Sequence, residues 1–390
     1  MKQMVIEKAD RVFHLPPTAE DYLPRRDRRK LLGREVLDLA RFSWPAGTMA
    51  KTGDDDHQFA ADQDLAALAE KTAGWYQRRF GARVNPEKEI FIGGGIRQIL
   101  NLVALSFFNP GEMVLTPDPG LWHYRASVSL ASADPIMYHL GERNGYRPVV
   151  NQIKGNVARL TKGIIINSPH NPTGAMLSLE NLGELLHVAG KENLIVILDH
   201  AFETLIDGYQ PASFFALPGG RKVALELYSY AYNTGCPYPA LGFAVGQPAF
   251  IRGLRDMART FGLRLTRHQV HEALTADADL RSRLDGIKSG WTHNREQVDG
   301  LCRTLGLAPS GERGGPFYWA KLPGRKQSRH FCRRLYIRCG IMALPGVAFG
   351  ESGEGYIRLS LTGPADVYRK AAEVAGHFFL TARDQGKHDG

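Results

Sequence analysis

Several short, continuously apolar segments alternate with amphipathic segments between about residues 60 and 250. Because the apolar segments lack the polar alternation of half-exposed strands, they predict strands that are covered on both faces. Buried strands that alternate with helices indicate a mostly parallel sheet with right-handed crossovers, the α/β class. Strands are predicted at residues 89–92, 113–115, 163–167, 194–199 and 223–227, and helices at 64–80 and 96–108.

Chain length and a change of pattern predict two domains. A chain of 390 residues with 43% hydrophobic residues is too long for one ordinary core. After about residue 290, strand patterns at 314–320 and 356–361 indicate a smaller α+β unit, and the first 50 residues are expected to pack against it. We predict a large α/β domain at residues 50–290 and a discontinuous small domain at 1–49 and 291–390.

Charge and composition favour a cytoplasmic protein without nucleic-acid or membrane partners. The net charge is +9, but the densest basic cluster, residues 25–30, is short and lacks interleaved aromatic residues. No segment approaches the roughly 20 apolar residues that span a bilayer, and the N-terminus lacks a signal-peptide pattern. The four cysteines show neither CxxC pairing nor metal-ligand spacing, which is typical of a protein with reduced thiols.

A proline- and glycine-rich turn, NSPHNPTG at residues 167–174, follows one of the buried strands. Asp199 ends the next strand, and the blocks LPGVAFG at 344–350 and YIRLS at 356–360 follow in order. Together these motifs resemble the class I/II aminotransferases, which are fold-type-I pyridoxal phosphate enzymes, over roughly residues 35 to 380. The resemblance implies a transferase of amino acid metabolism and biosynthesis. It also implies a large domain on a mostly parallel sheet, a smaller α+β domain and a homodimer.

The resemblance assigns roles to individual residues. Asp199 would pair with the pyridine nitrogen, Asn171 would bind the ring 3-hydroxyl oxygen, and Arg358 would bind a substrate carboxylate through its planar guanidinium. The glycines at 93–95 would open a helix whose N-terminal amides face the cofactor phosphate. The implied cofactor-binding residues are Gly94, Gly95, Ile96, Trp122, Asn171, Asp199 and Ser229, and the implied substrate-binding residue is Arg358.

The sequence departs from the family pattern at the group that bonds the cofactor. Tyr232 stands where family members carry the lysine that forms a Schiff base with pyridoxal phosphate, and no lysine occurs between Lys222 and Lys288. A phenol cannot form an imine. Ala240 and Ala231 stand where the family has a phosphate-binding arginine and a hydroxyl residue. The resemblance therefore implies that the phosphate end has lost charge as well as the covalent anchor.

Chemistry at the substrate α-carbon would then need another base. Tyr232, His123 and His200 are the candidate catalytic residues, and both histidines are expected on loops at the carboxyl edge of the sheet. His170 is expected at the same edge, and residues 54–57 (DDDH) could approach it. Their spacings match no metal-ligand pattern, so we predict no metal site.

Two functional hypotheses remain open. In the first, the protein acts on an amino acid or a related carboxylate, with pyridoxal phosphate or pyridoxamine phosphate held noncovalently. In the second, it is a pseudoenzyme or a repurposed aminotransferase fold that binds no pyridoxal cofactor and takes another small ligand or a partner subunit. Ordinary transamination is expected under neither hypothesis, because the lysine is missing.

Overall fold

The computed structural model describes residues 15–24, 35–44, 58–156, 160–206, 211–235, 240–276, 280–312, 315–324 and 327–385. Its strands are β1 (Leu37–Asp38), β2 (Ile90–Gly93), β3 (Met113–Asp118), β4 (Asp134–His139), β5 (Thr161–Asn167), β6 (Ile195–Asp199), β7 (Ala224–Ser229), β8 (Gly242–Gly246), β9 (Ala308–Ser310), β10 (Phe317–Lys321), β11 (Ile341–Met342), β12 (Leu344–Pro345) and β13 (Tyr356–Ser360). Its helices are α1 (Asp62–Phe80), α2 (Ile96–Phe107), α3 (Trp122–Leu130), α4 (Val150–Asn156), α5 (Leu179–Glu192), α6 (Gly220–Val223), α7 (Tyr230–Thr234), α8 (Pro248–Thr260), α9 (Arg267–Thr275), α10 (Leu280–Leu305), α11 (Ser328–Cys339) and α12 (Ala365–Gln385).

A seven-stranded sheet forms the centre of the molecule, in the order β2-β8-β7-β6-β5-β3-β4. β8 runs antiparallel to both of its neighbours, and the other strands are parallel. The predicted mostly parallel sheet is therefore confirmed, and every predicted strand of this sheet is present with small changes at its ends. β4 was not predicted, because this edge strand carries several exposed residues and so lacks a continuous apolar run.

A smaller antiparallel sheet, in the order β12-β13-β10-β9, forms the second layer of the fold. Its core contains apolar side chains of α10, α11 and α12, including Val298, Leu335 and Ala371. β1 pairs in parallel with β11, so the segment 37–44 lies beside this smaller unit. The exact domain boundaries at residues 49/50 and 290/291 stay a prediction. None of the helices in the described ranges is long and apolar enough to cross a membrane.

The ends of three neighbouring strands of the large sheet, β5, β6 and β7, bring parts of the sequence motifs together. β5 and β6 are in register at Asn167 and Asp199, and β6 and β7 at Asp199 and Leu227. Because carboxyl ends of parallel strands meet at one sheet edge, the turn after Asn167, the carboxylate of Asp199 and the segment after Ser229 are neighbours. This edge is the expected position of a ligand site in an open α/β sheet.

A glycine-dependent turn connects β2 to α2 at the same edge. Gly95 is the residue before α2 and adopts φ 96° and ψ 163°, a conformation that side-chain-bearing residues rarely adopt. The turn also brings the chain close to β8, since a Cβ added to Gly242 would lie 3.0 Å from the Ile96 amide nitrogen. The glycines therefore set where the amino end of α2 lies relative to the sheet.

A buried carboxylate joins α1 to β7 beneath the site. Glu226 is fully buried and accepts hydrogen bonds from the hydroxyls of Tyr76 (2.6 Å) and Tyr228 (2.6 Å), and from the amide of Phe214 (2.7 Å). The hydroxyl of Ser213 adds contacts of 3.0 and 3.1 Å. Hydrogen bonds thus replace a counter-ion for this carboxylate and fix the strand that precedes Tyr232.

Removing one donor of this network should destabilise the protein measurably. We expect Tyr76→Phe to lower the free energy of unfolding by about 1–3 kcal/mol, since it removes a hydrogen bond to a buried charged group. Urea unfolding followed by circular dichroism measures the change. Tyr22→Phe, at a half-buried tyrosine outside the network, is the control and should change the value by less than about 0.5 kcal/mol. Equal effects of the two substitutions would contradict the role of Tyr76 as a stabilising hydrogen-bond donor to Glu226.

Candidate functional site

A cavity of about 590 Å³ lies where the carboxyl edge of the large sheet meets the smaller unit. Its walls come from the turn before α2, the start of α3, the ends of β5, β6 and β7, and residues of β10, β12 and β13. The candidate catalytic and binding residues from the sequence that line it are Gly94, Gly95, Ile96, Trp122, His123, Asn171, Asp199, Ser229, Tyr232 and Arg358, and Ala231 and Ala240 line it as well. His200 does not line it.

Asp199 presents a buried carboxylate to the cavity. Its two oxygens accept hydrogen bonds from the Tyr124 hydroxyl (2.7 Å) and from the Ala201 amide (3.0 Å). Burial raises the pKa of Asp199, and these two hydrogen bonds oppose that increase. Tyr124 was not found from the sequence, because the contact joins residues 75 positions apart with no local motif to mark it.

Arg358 carries a buried positive charge with no carboxylate partner among the described residues. Its Nη1 donates to Asn171 Oδ1 (3.1 Å) and its Nη2 to the carbonyl oxygen of Ala40 (2.8 Å). Its Nε has no hydrogen-bond partner in the described part of the chain. The guanidinium carbon lies 4.0 Å from the ring centre of Phe317, and burial lowers the pKa of this group. A buried cation in this state favours an anionic ligand, because the charge is otherwise uncompensated.

Tyr232 lines the cavity with an aromatic ring that packs against other rings. The ring stacks on Trp44 at 5.4 Å and contacts Phe42 at 5.4 Å and Phe202 at 4.5 Å, measured between ring centres. Burial raises the pKa of Tyr232 to about 12, and the charge of Asp199 adds to the increase. At neutral pH the hydroxyl is therefore protonated and can donate a hydrogen bond, but it cannot serve as a ready base.

The amino end of α2 offers few groups to a phosphate. The Gly94 amide donates to Gln98 Oε1 (2.7 Å) and the Gly95 amide to the Gly93 carbonyl (2.9 Å). The first-turn amides of Ile96 and Arg97 have no acceptor within the helix. The Arg97 guanidinium lies 5.7 Å from the ring centre of Trp122 and forms no ion pair with another described residue. Ser229 caps α7 through a long contact of 3.5 Å from the Tyr232 amide.

His123 lies at the second position of α3 and not on a loop, as the sequence had suggested. Burial lowers the pKa of its imidazole to about 3, and the charge of Arg97 adds to this effect. Its Nδ1 is buried without a hydrogen-bond partner among the described residues. The ring is therefore neutral at physiological pH and can accept a proton, but the low pKa also makes it a weak base.

The neutral state of His123 should make the protein lose stability in acid. Between pH 6.5 and about 3, the unfolded chain binds a proton at His123 that the folded chain does not, so stability falls as pH falls through this window. We expect His123→Gln to reduce the loss between pH 6 and pH 5 by about 1 kcal/mol in urea unfolding. His187→Gln, at an exposed histidine, should leave the slope unchanged. An unaltered slope in the His123 variant would contradict the neutral, buried state.

His200 is excluded as a candidate base by its position. Its Nδ1 contacts the carbonyl oxygen of Ser168 (2.7 Å) and its Nε2 that of Ala212 (2.9 Å), and its ring stacks on Tyr228. His200 directly follows Asp199, and side chains alternate between the two faces of an extended backbone. The imidazole therefore points to the face opposite the Asp199 carboxylate, away from the cavity. The prediction for His200 was therefore wrong, and this alternation could have revealed it in the sequence.

His170 is buried beside Thr173 in the turn after β5. His170 Nδ1 contacts the Thr173 hydroxyl at 2.7 Å, and burial lowers the pKa of the ring to about 4. No group of three or more histidine, cysteine, aspartate or glutamate side chains in the described part of the chain could hold a metal ion. Residues 54–57 lie outside the described residues.

Comparisons with known proteins agree with this architecture. The family model "Aminotransferase class I and II" matches residues 44–374. LL-diaminopimelate aminotransferases of Gloeobacter violaceus and Dehalococcoides mccartyi (strain 195) are similar to the chain. The first is 32% identical over 82% of this chain and 83% of its own length, and the second is 29% identical over 94% and 98%.

Solved structures share the fold along almost the whole chain. Substrate-bound BacF from Bacillus subtilis matches with a TM-score of 0.86 and 23% identity, over 96% of this chain and 98% of that one. N-succinyldiaminopimelate aminotransferase from Mycobacterium tuberculosis matches with a TM-score of 0.81 and 22% identity, over 95% and 99%. On the family match and the fold together, the chain belongs to the class I and II aminotransferases, a family of pyridoxal phosphate enzymes of fold type I.

Proposed function

We propose that this protein acts on an amino acid or a related carboxylate, and that it holds pyridoxal or pyridoxamine phosphate in the cavity without a covalent bond. The observation that carries the proposal is the buried guanidinium of Arg358, which lacks a carboxylate partner among the described residues and lies in the same cavity as Asp199. Such a cation needs an anion from outside the chain. The names of the relatives, which are amino acid aminotransferases, agree with a carboxylate-bearing substrate.

The residues of the cavity fit the noncovalent cofactor at its ring end. The carboxylate of Asp199 would pair with the pyridine nitrogen, and the side-chain amide of Asn171 would bind the ring 3-hydroxyl oxygen. Trp122 would contact the ring, and the phosphate would meet the first-turn amides of Ile96 and Arg97 and the Arg97 guanidinium. When bound, the pyridine ring supplies an electron sink for the substrate α-carbon.

The chain's own groups then have distinct tasks. Arg358 would orient the substrate carboxylate through the guanidinium N–H groups that do not donate to Asn171 or Ala40. His123 lines the cavity with a neutral ring, so it is the proposed acceptor of the α-proton; its low pKa makes it a weak base, and this predicts slow proton transfer. Tyr232 stays protonated and would donate a hydrogen bond, since burial raises the pKa of its hydroxyl to about 12. By its likeness to the family, we also propose that the protein is a homodimer.

Absorbance spectroscopy of the purified protein tests the proposal. Titration with pyridoxamine phosphate and with pyridoxal phosphate should give saturable spectral changes that dialysis reverses. Borohydride should trap no covalent adduct on the wild-type chain. Asp199→Ala removes the proposed ring partner and should weaken binding by about tenfold or more. Absence of any saturable change at millimolar cofactor would contradict the proposal, and so would a borohydride-stable adduct.

The cavity offers few groups that could bind the cofactor phosphate, and this favours a second candidate function. Ala240 and Ala231 line the cavity where the family pattern has an arginine and a hydroxyl residue, and the amides of Gly94 and Gly95 already have acceptors. Under this alternative, the protein is a repurposed fold or a pseudoenzyme that binds a small carboxylate at Arg358 and no pyridoxal cofactor. Thermal stabilisation by carboxylates, together with a flat cofactor titration, would select it.

A further inference from the structure

One wall of the cavity is apolar and comes from three separate parts of the chain. Leu23, Leu121, Leu344 and Phe349 line the cavity and pack in a single hydrophobic cluster; we call these four residues the apolar wall. The wall begins beside the carboxylate-binding group, because the guanidinium carbon of Arg358 lies 5.0 Å from the ring centre of Phe349. A ligand held by its carboxylate at Arg358 can therefore extend along this wall.

The charges beside Leu23 are already paired with each other, and Arg97, beside Leu121 and Trp122, is assigned to the phosphate in the proposed function. Glu20 and Arg41 line the cavity near Leu23, and Arg41 donates to both oxygens of Glu20, at 3.2 Å from Nε and 2.6 Å from Nη2. The remaining Nη1 donates to Asp38 Oδ2 at 3.1 Å. Since all three guanidinium nitrogens have carboxylate partners, Arg41 offers no free cation to a second ligand carboxylate.

We propose that the ligand is an amino acid, or the corresponding 2-oxo acid, with an apolar side chain of about leucine size or larger that lies against the apolar wall. The inference rests on the proposed function, because it takes Arg358 as the carboxylate-binding group. Diaminopimelate is the amino acid that the names of the relatives contain. Its side chain ends in an ammonium and a carboxylate. Placing those charges against the wall would remove them from water without supplying a partner for them among the described lining residues. The protein is thus specific for a substrate whose side chain differs from that of diaminopimelate.

Four carboxylates that lack an α-amino or α-oxo group test the inference without requiring turnover. We would measure binding of 4-methylpentanoate, 3-phenylpropanoate, glutarate and 6-aminohexanoate to the full-length protein by calorimetry, with and without pyridoxamine phosphate. The two apolar probes should bind about tenfold more tightly than glutarate and 6-aminohexanoate, as is usual for an apolar pocket. Equal binding of all four probes, or tighter binding of the charged-ended ones, would overturn the inference.

Variants separate the inference from the function on which it rests. Arg358→Met should abolish binding of all four probes. Leu23→Asp should weaken the two apolar probes by about tenfold, and also glutarate through repulsion of its second carboxylate, but it should not weaken 6-aminohexanoate, whose ammonium can pair with the new carboxylate. Leu121→Thr is the second wall variant, in case Leu23→Asp does not fold, and circular dichroism checks each variant. Leu179→Asp, at an exposed leucine away from the cavity, should change nothing.

The outcomes are distinguishable. No binding of any probe to the wild-type protein would reject the proposed function itself. Binding that Arg358→Met abolishes, but without preference for the apolar probes, would keep the proposed function and reject the apolar ligand. A preference for apolar probes that neither wall variant reduces would also overturn the inference, because the side chain would then lie elsewhere.

Discussion

Replacing Tyr232 with lysine is expected to convert the protein from one that forms no covalent adduct with pyridoxal phosphate to one in which borohydride traps a major fraction. The new amine would lie among Phe42, Trp44 and Phe202, whose rings surround the present tyrosine. An apolar surrounding disfavours the ammonium form and lowers the pKa of a lysine, so the reactive neutral amine becomes available.

Mass spectrometry after borohydride reduction measures the adduct and locates it on the chain. Tyr232→Phe is the matched control, because it keeps the aromatic ring and adds no amine; it should remain unlabelled. Measurable transamination by the lysine variant would show that Asp199 and Asn171 still suffice to hold the ring productively. An unlabelled lysine variant that is folded would show that the cavity no longer accepts the cofactor.

Replacing Arg358 with methionine is expected to weaken carboxylate binding and to stabilise the ligand-free protein. Carboxylate affinity should fall by about a hundredfold or more, as expected when a buried, hydrogen-bonded ionic contact is removed. The ligand-free protein should become more stable by about 1–3 kcal/mol. Burying a cation without a carboxylate partner costs several kcal/mol. This cost exceeds the stabilisation that the two hydrogen bonds to Asn171 and Ala40 contribute.

Urea unfolding and calorimetry on the same preparations test both effects together. Arg369→Gln, at an exposed arginine that pairs with Glu373, is the control and should change stability by less than about 0.5 kcal/mol. A lower stability of Arg358→Met with unchanged carboxylate affinity would mean that this arginine serves the fold alone. That result would remove the main support for the proposed function.

The sequence predicts the sheet and much of the site, because both depend on local patterns. Continuous apolar runs identify buried strands, and a polar residue at the end of such a run, as at Asp199, marks the sheet edge where ligands bind. Arg358 was found through its motif, since the resemblance of YIRLS at 356–360 to the family pattern implies a carboxylate-binding arginine there. These residues all line the cavity in the structure.

Long-range packing explains what the sequence does not reveal. Tyr124 reaches Asp199 across 75 positions, and the aromatic ring contacts of Tyr232 come from Phe42 and Trp44, almost 200 positions away along the chain. No spacing rule connects such residues, because packing of separate units brings them together. The pairing of Arg41 with Glu20 is equally invisible in the sequence, although it decides which charges remain free.

The parallel pairing of β1 with β11 has a consequence for how the protein is made. The segment 37–44 supplies the Ala40 carbonyl and two aromatic rings to the cavity, yet its partners are Ile341, Met342, Arg358 and Thr362 near the other end of the chain. A nascent chain on the ribosome can assemble much of the large sheet before those residues emerge. It can acquire a complete cavity only after the residues up to Thr362 have emerged, so ligand capture should follow assembly of the large sheet and should not guide it.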